Sequence, residues 1–422
     1  MKFPVLVLAG CTTLFATWPP LQSFPHNASA PTARASRTTR ASADIIRDVA
    51  PGGGALVVKA DGSVLTWGRG WNGAMQFQVP TSVELPGRAV RAAVGGSDVG
   101  QFTAYVVLED GGVVAWGSND EGQLGNGTAG ANVSLGTYPK PSATPVGVTG
   151  LNNIVAVTAG DKHALALGRD GTVWAWGRRG DGTIGDGDAL PKGSLRMLSA
   201  GAPVQVPGLR DIVQIASGRL HNLALTRDGR VFAWGRNKNG ELGNNTRINA
   251  WTPIPIPGLD HIISISAGNG GNETGVSGAV RDDGTVWTWG SNLSLMIGNS
   301  ASATQREEEG VFHGVPEQVR GLTNAKHIRM SFGHVAVILA DSSLRMWGYN
   351  GYSQIGLGRT DGDYVLRPTR VPALSGVTSV HLGTYRSYAV TADGSLWVWG
   401  LKHTTQGTLS RSLNVPTRLE LP

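Results

Sequence analysis

The segment Gly160-Asp161-Lys162-His163-Ala164-Leu165-Ala166-Leu167 runs through Asp170-Gly171 into Val173-Trp174-Ala175-Trp176-Gly177. It reads as two apolar strands joined by a tight turn. Asp-Gly supplies the positive backbone angles that a primed hairpin turn requires. Upstream, Ile154-Val155-Ala156-Val157 adds a further strand-like segment that ends at Gly160. Downstream comes a turn of the form G-x-L-G, seen as Gly122-Gln123-Leu124-Gly125 and Gly240-Glu241-Leu242-Gly243. Weaker versions are Gly182-Thr183-Ile184-Gly185 and Ser353-Gln354-Ile355-Gly356.

The same unit recurs along the chain. Trp-Gly stands at Trp67, Trp116, Trp176, Trp234, Trp289, Trp347 and Trp399, and six residues before each Trp is an Asp, from Asp61 to Asp393. Each copy also carries a Pro with an apolar residue three positions later, from Pro80 and Val83 to Pro416 and Leu419. Pro is tolerated where no amide donor is needed, as at a sheet edge. Each copy thus supplies about four strands. Open four-stranded sheets would leave unpaired edges and a bare apolar face. Radial closure removes both problems, and seven copies lie within the usual range for propellers. The expected fold is all-β, a seven-bladed propeller of four-stranded antiparallel blades over residues 45–422, with strands from both chain ends closing the ring.

Composition agrees with a helix-poor fold. Of 422 residues, 61 are Gly and 22 are Pro, while charged residues make up only 16%. Gly and Pro weaken helix interiors, and the low charge disfavours long amphipathic helices. The net charge of +6 is mild for this length, and no Lys/Arg block tracks a phosphate backbone. Nucleic-acid binding is therefore disfavoured.

Residues 1–30 read as a signal peptide. Lys2 gives the positive start, Phe3 to Trp18 is mostly apolar, and Ala28-Ser29-Ala30 has the small-x-small form of a cleavage site. The single cysteine, Cys11, lies in Leu8-Ala9-Gly10-Cys11, which has the form of a lipidation box, so a lipid anchor is the alternative to cleavage. Residues 31–44 read as a flexible linker. Outside the N-terminus no apolar run is long enough to span a membrane. The expected location is secreted or periplasmic, or lipid-anchored to the cell envelope. The folded body has no thiol left for a disulfide.

The combination G-x-x-H-x-L-A-L, D-G-x-V-W-x-W-G and G-x-L-G-x-G resembles the regulator of chromosome condensation repeat. Residues 160–177 carry it, as does Gly218 to Leu225 followed by Asp228 to Gly235. The resemblance covers the whole body and implies a seven-bladed propeller. Family members include a nuclear guanine-nucleotide exchange factor, a plant ultraviolet photoreceptor and a secreted bacterial inhibitor of beta-lactamase. The photoreceptor's Gly-Trp-Arg-His-Thr motif is absent. A propeller hosts many unrelated activities, so function must be argued from sites.

Seven residues before each repeat Asp stand Gly54, Thr103, His163, His221, Val276, His334 and Arg386. Three histidines at one repeat position invite a metal site. They would have to converge from separate blades without Cys or acidic ligands at metal spacing, so hydrogen bonds to backbone are preferred. Asp186-Gly187-Asp188 and Asp361-Gly362-Asp363 carry paired carboxylates but lack the ligand series of a calcium loop. No nucleophile elbow, phosphate loop or zinc-protease motif is present. The expectation is no catalytic residue, no metal and no cofactor.

The repeat tryptophans are expected in the core between blades. Trp71 and Trp251 fall outside that register and are candidate partner contacts. Loop variation supplies others: Arg306, Glu307, Glu308, Glu309 and Phe312, with His313 beside them, in 299–315. Long connections also occur at 126–144 and 186–202, and Asn269 to Gly275 reads as a flexible insertion. The favoured function is an exported, non-enzymatic, monomeric propeller that binds an unidentified protein. The alternative is guanine-nucleotide exchange on a small GTPase, as in the nuclear relative.

Overall fold

A computed structural model describes residues 45–52, 54–68, 77–97, 101–128, 140–188, 199–271, 274–300, 313–358, 363–403 and 409–421. The strands form seven four-stranded sheets, each antiparallel and each built from four consecutive strands. Blades 1 to 7 span 46–82, 89–147, 154–205, 212–255, 262–318, 325–370 and 377–419. Within a blade the chain runs from the inner strand, which packs on its neighbours around the axis, through the second and third strands to an outer edge strand.

Sequence pattern explains each layer. Second strands such as His163–Gly168 and His221–Thr226 are buried along their whole length, as sheets covered on both faces require. Outer strands hold a mixture of half-buried and exposed residues. Pro80, Pro145, Pro203, Pro253, Pro316, Pro368 and Pro416 all lie in outer strands, where a missing N–H blunts the edge against pairing with another chain. Between third and outer strands the register shifts at every repeat Trp, for example between Ala175 and Gly177.

Three expectations are corrected. First, the ring does not close by a sheet shared between the two ends. Blade 1 is wholly N-terminal and blade 7 wholly C-terminal, and the inner strand Ile46–Pro51 packs against Val377–Leu382 and Arg386–Thr391. The seam is apolar: Ile46, Val49, Ala55 and Val57 meet Tyr388, Val390 and Leu396. Second, the Asp-Gly turns are not two-residue primed turns. Only the glycine takes positive φ, as at Gly171 (82°), while the Asp carboxylate accepts from the residue two positions on, as Asp170 does from Thr172 N at 3.0 Å. The carboxylate closes the turn that a second left-handed residue would otherwise close. Third, the flanks of the expected insertion are strand rather than loop: in blade 5 Asn269 pairs with Gly275 and Gly271 with Thr274.

Candidate functional site

Antiparallel order places the inner-to-second hairpins and the third-to-outer connections on one face, and the Asp-Gly turns on the other. The first face carries the chemistry. Its foundation is a repeated bond between blades. The indole N–H of Trp176 donates to the Gln123 carbonyl at 2.8 Å, Trp234 to Thr183 at 3.2 Å, Trp289 to Glu241 at 2.9 Å, Trp347 to Met296 at 2.9 Å and Trp399 to Gln354 at 2.7 Å. Every acceptor is the second residue of the preceding blade's G-x-L-G turn or its counterpart. The tryptophans are thus core, as expected, and an aromatic body with a polar tip suits them to it. Trp67 alone is half-buried, and it packs on the seam.

The three repeat histidines belong to the same device. His163 Nε2 bonds Asn222 Oδ1 at 2.8 Å, His221 Nε2 bonds Ser277 Oγ at 2.9 Å, and His334 Nε2 bonds Ser387 Oγ at 3.0 Å. Each partner sits one blade on and donates to the same turn carbonyl as the Trp: Asn222 to Thr183, Ser277 to Glu241 and Ser387 to Gln354. Each Nε2 thus bonds a side chain of the next blade, and the expected backbone bond is made as well at His334, whose Nδ1 lies 3.2 Å from the Phe332 carbonyl. Val276 occupies the histidine position of blade 5, and the facing position of blade 6 is Val335, both buried in one apolar cluster. The histidines thus face separate interfaces, and the described residues hold no group of three or more metal-ligating side chains. Burial pushes the His163 and His334 imidazoles down to about 4, and burial with the nearby His163 pushes His221 to about 3.

Charge is concentrated around the axis at the closing blades. Asp48 accepts from Ala92 N and Val49 N, both at 3.0 Å, bridging blades 1 and 2. Burial raises its carboxyl against the pull of these amides and of Arg91 and Arg329. His381, 4.0 Å from Asp48, is pushed down to about 3 by burial and by the Arg329 charge.

Further out on the same face, blades 2 to 4 are tied by ion pairs. Lys162 meets Asp120 at 2.6 Å across blades 3 and 2, and Arg219 meets Asp161 at 3.5 Å across blades 4 and 3. Arg179 holds both Asp186 and Asp188, so these carboxylates serve a guanidinium. At blades 6 and 7 this face turns aromatic at or beside the corresponding positions, with Phe332 where blades 3 and 4 have Asp161 and Arg219. Tyr352 stands where blades 2 to 5 have Glu121, Asp181, Asn239 and Ser294, and Tyr385 stands where blade 3 has Lys162. Ring centroids link Tyr364 to Tyr349 (5.4 Å), Tyr349 to Tyr352 (6.1 Å), Tyr352 to Tyr385 (4.6 Å) and Tyr385 to Phe332 (5.9 Å). All five rings are half-buried, and they form a strip from the outer strand of blade 6 to the hairpins near the axis.

Sequence reasoning missed this strip. Its signal was the crowding of five of the chain's seven tyrosines into positions 349–388. Of the predicted contacts, Trp251 is half-buried at the start of blade 4's outer strand, where its carbonyl accepts from Gly187 N at 2.9 Å. Trp71, Arg306, Glu307, Glu308, Glu309 and Phe312 lie outside the described residues, as do Cys11, Asp361 and the signal and linker segments. His313 bonds Glu317 within blade 5's outer strand. No helix among the described residues is long and apolar enough to cross a membrane.

Known proteins share this architecture. The chain is 27% identical over 359 residues to the human E3 ubiquitin-protein ligase HERC2, which covers 82% of this chain but 7% of that protein. It is 26% identical over 367 residues to the human regulator of chromosome condensation, covering 82% of this chain and 80% of that one. Prp20p of Saccharomyces cerevisiae superposes with a TM-score of 0.68 at 23% identity, covering 91% of this chain and 89% of that one, a likeness of fold. The chain spans only a small part of HERC2, and nothing of that protein's activity follows from the match. The RCC1-like domain pattern matches residues 90–422, and the chain belongs to the RCC1-like domain family.

Proposed function

We propose that this chain is an exported, non-enzymatic propeller that presents the hairpin face of blades 6 and 7 to a protein partner. The observation that carries the reading is the replacement of inter-blade ion pairs by an accessible aromatic strip. Aromatic side chains are enriched at interfaces because they bury large area at little entropic cost. A closed ring whose turns are hydrogen-bonded across blades is preorganised, which lowers the cost of binding. Export is supported by Lys2, the apolar run to Trp18 and Ala28-Ser29-Ala30.

Fractionation with N-terminal sequencing tests the export half. A mature chain starting at Pro31 in the extracytoplasmic fraction is expected, and a lipidated Cys11 would move it to the envelope. A cytosolic chain retaining Met1 would contradict export. It would favour the second reading, guanine-nucleotide exchange, which the near full-length match to the regulator of chromosome condensation supports. Release of labelled GDP from small GTPases of the same cell separates the two: no acceleration is expected here.

A further inference from the structure

The aromatic strip carries a charge argument that narrows the partner, and it rests on the protein-binding reading above. Ring faces are negative, so an array of them favours a cation laid across it. Asp363 is exposed beside the strip, and among the described residues it forms no ion pair. Its charge is felt at Tyr349, whose phenol is raised by burial and by the fields of Tyr352, Asp363 and Tyr364. The contrast with blades 2 to 4 is direct, because there the face acids Asp120, Asp161 and Asp186 are already matched by Lys162, Arg219 and Arg179. Arg386, next to Tyr385 in the chain, turns its Nε–H to the Leu401 carbonyl.

We infer that the strip of Tyr349, Tyr352, Tyr364 and Tyr385 with Asp363 docks a basic segment of a partner polypeptide. Lys or Arg side chains lie over the tyrosine rings and pair with Asp363. Such contacts at a half-exposed surface are each modest, so affinity comes from several in register.

Fluorescence anisotropy of a labelled octapeptide of alternating Lys and Gly on the full chain tests this. The same peptide with Gln for Lys and a labelled chitohexaose serve as comparisons. The Lys peptide is expected to bind about tenfold more tightly than the Gln peptide. Asp363→Asn and Tyr352→Leu should each weaken it by about two- to fivefold, with the thermal midpoint unchanged. Added salt should weaken the wild type more than Asp363→Asn. Equal binding of both peptides, preference for the saccharide, no binding of any probe, or full affinity in both variants would each overturn the assignment. If a native partner still crosslinks to this face in both variants, the protein-binding reading stands while the basic-segment assignment falls.

Discussion

Trp347 and Trp234 make the same bond in unequal company. The Thr183 carbonyl receives both Trp234 and Asn222, whereas the Met296 carbonyl receives Trp347 and no other donor among the described residues. A buried acceptor left without a donor costs about 1–3 kcal/mol, so Trp347→Phe should destabilise the fold by about 1 kcal/mol more than Trp234→Phe in urea melts. Equal losses would show that the indole acts by volume alone. A second case is Ser342, which takes the left-handed conformation (φ 60°) that glycine takes in the other six turns. Ser342→Gly is expected to stabilise by up to about 1 kcal/mol, and a lower thermal midpoint would contradict it. At this scale the spacing of Trp, Asp and Gly was legible in the sequence. Their acceptors were not, because Trp234 and Thr183 lie 51 residues apart and meet only once the ring exists.

The latch between blades follows a rule of pairs: His163 faces Asn222, His221 faces Ser277, His334 faces Ser387 and Val276 precedes Val335. At these four interfaces polar answers polar and apolar answers apolar. His334→Val should therefore cost about 1–3 kcal/mol, and adding Ser387→Val should cost less than the sum of the single changes, since Trp399 still serves the Gln354 carbonyl. Strict additivity in a double-mutant cycle would contradict the pairing. This rule was written in the sequence one copy further on, in the residue after the histidine position, but reading it requires knowing which strands face each other.

The same histidines predict a pH dependence. In the fold they stay neutral until about pH 4 or below, while the unfolded chain takes up protons near 6.5. Stability should then be flat with respect to these groups above pH 6.5 and fall as pH drops from 6.5 towards 4. Each unit of depression corresponds to about 1.4 kcal/mol per imidazole. Urea midpoints at pH 7.5, 5.5 and 4.5 check this, and an unchanged midpoint down to pH 4.5 would contradict it.

For the whole molecule, seven copies and their strand count were legible because the period is explicit. Ring closure was not, since nothing in a repeat says which strand of the last copy meets the first. The aromatic strip was equally hidden: Tyr349 ends the third strand of blade 6, Tyr364 begins its outer strand and Tyr385 sits in a hairpin of blade 7, and only the blade geometry brings the three together. The seam between blades 1 and 7 has no shared sheet, so it depends on side-chain packing and on the Asp48 and His381 region. There a Cβ built on Gly383 would stand 3.0 Å from the Pro51 Cβ, inside the roughly 3.5–4.5 Å of a disulfide, so a bridge forms once the two segments part by about half an ångström. The most direct measurement is oxidation of Pro51→Cys/Gly383→Cys in a Cys11→Ser background, read by the mobility of the unreduced chain. A closed ring of seven sequential blades predicts a near-complete intramolecular disulfide with the native fold retained. Two thiols that stay reduced, or that join only different chains, would contradict it.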